Sequence, residues 1–273
     1  MKLHMLCKGT FAATLLTAAA AFWGTAPAIV AGCSLEQTAP GAESPSALPT
    51  QSRELTLEER ADIFMARKNY ADATDYYYRA LKSSSFKNPV VWNKLGISYQ
   101  VQTKYNSAQK AYASAVRVNK NFPEAWNNIG TVYCMEKKYG KSVKYYQRAI
   151  ELMGNNAAFH LNLGTSYFHM KKFDLAVAEY RTALGIDPKV MAQESAVGTV
   201  VHSSGTGAEY YFYLAKAFAS IGDPDSAVRY LRRALEDGYG DSKKIGEDPD
   251  FTKISNYPAF VELMRNPPLA IKD

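Results

Sequence analysis

Residues 92–99 read WNKLGISY, and the arrangement returns as WNNIGTVY at 126–133, HLNLGTSY at 160–167 and YFYLAKAF at 211–218. Behind each window, at constant offsets, stand a small residue, an aromatic or leucine, and an alanine. These are Ala108, Tyr112 and Ala115; Ser142, Tyr146 and Ala149; Ala176, Tyr180 and Ala183; Ala227, Leu231 and Ala234. The step from Trp92 to Trp126 is 34 residues, as is the step from Trp126 to His160; His160 to Tyr211 is 51, so 17 extra residues precede the last copy. A weaker copy comes first, with Ala61, Phe64, Ala73, Tyr77 and Ala80, and Ala80 lies 35 residues before Ala115.

Large residues within a window fall three, four and seven apart, as in Trp126, Ile129, Gly130 and Tyr133, which is one stripe of an amphipathic helix. The second half of each unit forms another helix, with Ala108, Ala115, Ala149, Ala176 and Ala183 at its contact face. Glycine costs about 1 kcal/mol relative to alanine inside a helix, so Gly96, Gly130 and Gly164 at one slot imply close packing. The recurrent tyrosines, including Tyr76-Tyr77-Tyr78 and Tyr145-Tyr146, are expected in the core. A single helical pair cannot bury its apolar face, whereas stacked pairs share a continuous core.

The 34-residue period and the W-x-x-L-G-x-x-Y…A-x-x-x-(Y/F)-x-x-A pattern, closed once by Pro188, resemble the tetratricopeptide repeat (TPR) family over about residues 54–237. Departures are Arg60 at the first leucine slot, Ser142 at a small-residue slot, His160 and Tyr211 for tryptophan, and Ala215 for glycine. The resemblance implies an all-α, right-handed superhelical solenoid of about five helix-turn-helix repeats. The expected repeats are 54–88, 89–122, 123–156, 157–188 and 208–237, with an inserted loop at 189–207. A helical cap is expected over 238–273, where Phe251, Ile254, Phe260 and Leu263 could cover the last helix.

Residues 1–32 carry Lys2 and Lys8, no acidic residue and an alanine-rich apolar stretch, which reads as an export signal. Two cleavage readings stay open. Val30-Ala31-Gly32-Cys33 resembles a bacterial lipobox, which would make Cys33 a lipidation site, and Ala26-Pro27-Ala28 resembles an A-x-A site. Residues 33–53, rich in Ser, Ala, Pro and Thr, read as a disordered tether. Twenty such residues reach at most about 65 Å, so the solenoid is expected to float beside its membrane. Cys134 is the remaining cysteine once Cys7 and Cys33 are assigned, and is expected to be a buried thiol.

The 32 basic and 26 acidic residues give a formal charge of +6, or 30 against 26 without Lys2 and Lys8. Bases interleaved with acids, as in Arg67, Lys82 and Lys87 against Asp72 and Asp75, suggest a solvated mixed face rather than a nucleic-acid or anionic-lipid footprint. No P-loop, dinucleotide fingerprint or H-E-x-x-H motif is present, and neither a cofactor, a metal nor a small-molecule substrate is expected. His202 beside Ser203 and Ser204 is the one cluster open to a hydrolase reading, without an evident orienting group.

The family fold implies that the first helix of each repeat lines a concave groove. Candidate partner-binding residues are Asn93, Lys94, Asn127, Asn128, Thr131, Asn162, Thr165, His169 and Lys216, with Ile97 and Phe212 beside them. Asn128 and Asn162 occupy equivalent slots, and similar asparagine ladders in glycosyltransferase superhelices of the family hold a peptide backbone; Lys94 interrupts the ladder. The carboxylate clamp of chaperone-binding members is not reproduced, since Ile97, Ala158 and Asn162 stand where Asn, Lys and Arg are needed. The expected function is therefore a non-catalytic, lipid-anchored scaffold of the cell envelope that binds a protein or extended peptide, with envelope or pilus assembly as the process assisted. The alternatives are a self-associating spacer and a hydrolase using the His202 loop.

Overall fold

The computed structural model describes residues 53–191, 207–240 and 245–270. The leader, Cys33, nearly all of the tether, and residues 192–206 with His202, Ser203 and Ser204 lie outside the described residues. Among the described residues ten α-helices run in sequence: α1 Leu57–Ala66, α2 Tyr70–Ser83, α3 Pro89–Val101, α4 Tyr105–Val118, α5 Pro123–Met135, α6 Tyr139–Leu152, α7 Ala157–His169, α8 Phe173–Ile186, α9 Gly207–Ile221 and α10 Pro224–Glu236. A 3-10 helix, Pro249–Ile254, and α11, Pro258–Arg265, follow. Each odd helix from α1 to α9 packs on the even helix after it, and each even helix from α2 to α8 packs on the next odd one. The fold is an all-α solenoid of five helix pairs. No described helix is long and apolar enough to cross a membrane.

Local chemistry sets the helix ends. Thr56 and Glu59 close a capping box on α1, Asn88 accepts from the Val90 and Val91 amides, and proline opens α3, α5, α10 and α11. Every turn inside a pair has one left-handed residue: Lys68 at φ 60°, Thr103 at 59°, Lys137 at 60°, Lys171 at 59° and Gly222 at 82°. The next amide then reaches five residues back, as in Lys138 N to Tyr133 O at 2.8 Å and Asp223 N to Phe218 O at 3.1 Å, the Schellman arrangement. The connection from α2 to α3, Ser84 to Asn88, has one residue more than those at 119–122 and 153–156, and turns through left-handed Ser85 and Phe86. That extra residue is the origin of the 35-residue first step.

The glycine slot is filled by a tyrosine ring from the paired helix. A Cβ on Gly130 would stand 2.7 Å from Tyr146 Cε1, and one on Gly164 2.6 Å from Tyr180 Cε1; Gly96 meets Tyr112 still more closely. Tyr112, Tyr146 and Tyr180 are among the most deeply buried side chains of the protein. In the last repeat the two slots hold Ala215 and the smaller Leu231, both fully buried in one cluster. Ser142, at an alanine slot, bonds Ser166 of the next repeat at 2.7 Å. Cys134 is buried, and burial pushes its thiol up.

The tyrosine runs are only partly core. Tyr77 and Tyr146 are buried, but Tyr78 is half exposed, Tyr76 packs on Phe64, and Tyr145 stacks on Trp126 and Tyr133 nearer the surface. Consecutive helical residues point about 100° apart, so in α2 and α6, each with one outer face, Tyr77 and Tyr146 turn inward and their neighbours lie towards the surface. At the C-terminal end Phe251, Ile254, Phe260 and Leu263 are buried in one cluster with α9 and α10.

Two stability measurements check this packing. Gly130→Ala gains about 1 kcal/mol of helix propensity but meets the Tyr146 ring, and is expected to destabilise by about 1–3 kcal/mol in urea unfolding; adding Tyr146→Leu, as in the Ala215/Leu231 repeat, recovers part of the loss. Thr103 is β-branched in the left-handed region, so Thr103→Gly is expected to raise stability by about 0.5–1 kcal/mol, more than Lys137→Gly does.

Candidate functional site

The odd helices lie side by side, with α3 touching α5 and α5 touching α7, and their asparagines meet across these contacts. Asn162 Nδ2 donates to Asn127 Oδ1 at 3.0 Å, Asn127 Nδ2 to Asn128 Oδ1 at 3.2 Å, and Asn128 Nδ2 to Asn93 Oδ1 at 2.9 Å. The result is a continuous chain of four amides across three repeats. An amide both donates and accepts, so each interior member uses one N–H and one lone pair and keeps one of each. The four are buried, from 2 % exposed at Asn162 to 8 % at Asn93.

Both cross-repeat bonds span 35 residues, from the ladder slot of one repeat to the preceding slot of the repeat before. Lys94 makes the same diagonal in ionic form: its Nζ lies 2.8 Å from Glu58 Oε1 and 2.7 Å from Asp62 Oδ2. Burial pulls this ammonium down, but the hydrogen bonds to Asp62 and Glu58 hold it above its usual value. Tyr77 donates to the other Asp62 oxygen at 2.6 Å. At the opposite end Lys216 lies 3.0 Å from Asp248 Oδ2 and 2.7 Å from Asp250 Oδ2, both supplied by the segment that leads into the cap. Burial lowers this ammonium too, and the bonds to Asp250 and Asp248 carry it above its usual value.

The other candidates stand apart from the amide chain. Thr131 and Thr165 are buried and bond the Asn127 and Leu161 carbonyls of their own helices, and Thr131 also receives the Tyr146 hydroxyl. His169 ends α7 and stacks on Tyr139, ring centroids 4.6 Å apart. Ile97 packs on the cluster that joins Tyr112 to Ile129 and Val132 of the next repeat, and Phe212 is buried against Tyr239 and Phe251 on the side of the cap.

His160 replaces tryptophan atom for atom at one point. Trp92 Nε1 donates to Phe86 O at 3.0 Å, Trp126 Nε1 to Lys120 O at 2.9 Å, and His160 Nε2 to Gly154 O at 3.0 Å, each six residues back. Where Trp126 stacks on Tyr145, the equivalent residue of the next repeat is Glu179, whose Oε2 lies 2.6 Å from His160 Nδ1. With an acceptor at each nitrogen the imidazolium is satisfied; the Glu179 bond holds His160 above its usual pKa, against the opposing effect of burial. Nothing in the 34-residue pattern points to Glu179, and its only signal is the loss of an aromatic opposite a histidine.

Two profiles described as tetratricopeptide repeat match the chain, at residues 121–189 and 209–242. The chain belongs to the tetratricopeptide repeat family. Similar solved structures include MamA, with 24 % identity over 64 % of this chain and 92 % of that one at TM-score 0.47. MamA 41-end from Desulfovibrio magneticus RS-1 has 14 % identity over 66 % and 92 % at TM-score 0.48. YrrB, described as a TPR protein with an unusual peptide-binding site, has 18 % identity over 66 % and 83 % at TM-score 0.45. No curated protein matches the chain by sequence.

A group whose folded pKa is raised stabilises fully below its unfolded value, about 6.5 for histidine, and loses that contribution as pH rises through the folded value. The stability difference between the TPR protein and its Glu179→Gln variant is therefore expected to be fully present below about pH 6.5 and to shrink as pH rises above it. Burial and Lys137 hold His169 below its usual value; that opposite contribution is common to both proteins and cancels in the difference. Thermal melts across this range make the check, and a pH-independent difference contradicts the assignment.

Proposed function

We propose that this TPR protein is a non-catalytic interaction scaffold that holds an extended peptide or protein segment along the face lined by α3, α5, α7 and α9. The observation that carries the reading is the amide chain Asn93–Asn128–Asn127–Asn162. It runs along the solenoid, and the N–H groups and lone pairs left over suit a backbone, whose donors and acceptors also alternate. Lys94 and Lys216 flank it already neutralised by Glu58, Asp62, Asp248 and Asp250, so the partner segment is uncharged where it crosses the asparagines.

Export and acylation at Cys33 belong to the same proposal. They are supported by the Lys2 and Lys8 leader and the Val30-Ala31-Gly32-Cys33 sequence, and they would put the partner in the cell envelope, with complex assembly there as the process served. A second reading, a spacer without a peptide ligand, is favoured by one fact: the asparagines satisfy one another, and little of their surface is exposed.

A photo-crosslinker placed in cells at Glu124, one turn before Asn127 and Asn128 on α5 and outside the amide chain, separates the two. The scaffold reading expects one discrete partner segment by mass spectrometry, and Asn128→Ala/Asn162→Ala lowers its yield about tenfold, as loss of one or two net hydrogen bonds would. Equal yield from a folded double variant, or the same product from a crosslinker at Arg148 on α6, leaves the spacer. Metabolic lipid labelling of the native chain against Cys33→Ser tests the anchor, and label absent from both rejects it.

A further inference from the structure

The turns inside the helix pairs are superposable from repeat to repeat, each with its left-handed residue at the same place, so residues 34 apart in sequence stand in a row on one edge of the solenoid. Adjacent helix axes are about 10 Å apart. In repeats two to four the residue preceding the second helix is Lys104, Lys138 and Lys172. Lys137 and Lys171 occupy the left-handed positions beside them, and Lys141 and Lys144 continue the patch along α6. All seven are exposed. The carboxylates at these turns and the first turns of α4, α6 and α8 are Glu136, 3.1 Å from Lys138, and Asp174. A shallow depression of about 460 Å³ among Lys137, Lys138, Lys141 and Lys144 has Tyr139 and Met170 in its wall. The stretch that carries Lys104 has no acidic residue between Asp75 and Glu124. The row ends in the fifth repeat, where Gly222, Asp223 and Asp225 take the equivalent places.

We propose that this lysine edge rests on the surface of a bilayer containing anionic phospholipid. The patch is built from lysine without arginine. A compact ammonium on a flexible stem suits a diffuse layer of headgroups, whereas arginine's planar fork suits fixed recognition of one phosphate or carboxylate. It also lies on protruding turns rather than in a cleft, and so meets a flat surface. The inference rests on the proposed Cys33 anchor only for proximity: the tether would keep the solenoid within about 65 Å of the membrane, and the lysines then orient it with one edge down.

The test is sedimentation of the full chain carrying Cys33→Ser with vesicles of phosphatidylcholine, with and without 30 % phosphatidylglycerol. Any apolar attachment through the leader is common to both vesicles, so the ratio isolates charge. The ratio is expected to exceed about tenfold at low salt and to fall towards one at about 0.5 M salt. Each lysine near such a surface is worth about fivefold, and Lys137→Gln/Lys141→Gln/Lys144→Gln/Lys171→Gln is expected to bring the ratio close to one. Circular dichroism verifies that this variant, altered only at exposed positions, keeps its fold. A ratio near one for the parent, or an unchanged ratio in the variant, overturns the proposal. Lysine-dependent binding of polyglutamate or single-stranded DNA without a vesicle preference also overturns it, in favour of a soluble polyanion. Absence of lipid label at Cys33 rejects the anchor but leaves the vesicle result standing, since the protein assayed is not acylated.

Discussion

The closeness of a tyrosine ring to a helix backbone without a Cβ fixes the spacing of every central repeat. Gly96, Gly130 and Gly164 give up helix propensity so that Tyr112, Tyr146 and Tyr180 can lie against the first helix of each pair. The ring then fills what would otherwise be a void between two cylinders. With that spacing fixed, the apolar stripe is used up between the helices of a pair, and the neighbouring slots of α3, α5 and α7 are turned towards one another across repeats. The residues found there are asparagines, able to bond one another in series, and a lysine that meets two carboxylates.

Hydrogen bonds thus continue what the aromatic packing begins. Packing orders each pair, while the amide chain and the bonds between Ser142 and Ser166 order pair against pair. A polar group buried without a partner costs about 1–3 kcal/mol, so a register slip of one residue between repeats would strand several amides together. The same chain that fixes register has donors and acceptors to spare for a peptide backbone, and stability and the proposed binding share one set of atoms.

The repeat architecture was legible in the sequence because packing slots recur at equal spacing, and residues such as Gly130 in the three central copies and Ala149 in all five keep one physical role. The asparagines were legible as slots but not as a network. Asn128 and Asn162 align with each other, whereas their acceptors are Asn93 and Asn127, one slot over and one repeat back, a diagonal that only the stacking angle creates. Lys94 read as an interruption and is the ionic end of the same diagonal. His160 was legible as a substitute for tryptophan; Glu179 was not, because nothing repeats there. The lysine edge escaped for a geometric reason. Charge read along the chain mixes both signs, yet the solenoid brings Lys104, Lys138 and Lys172 together from positions 34 residues apart and leaves the acids of the equivalent turns at the two ends of the row, Asp72 in the first repeat and Asp223 and Asp225 in the last.

The amide chain is the point at which fold and proposed function meet, and side-chain hydrogen exchange by NMR addresses it directly. In the free protein, one Nδ2 proton each of Asn127, Asn128 and Asn162 is expected to exchange far more slowly than the exposed amides of Asn106 and Asn119, and Asn127→Ala is expected to release the protected proton of Asn162, whose acceptor it removes. Exchange of all three at solvent rates, or protection of Asn162 that survives the loss of Asn127, would contradict the account.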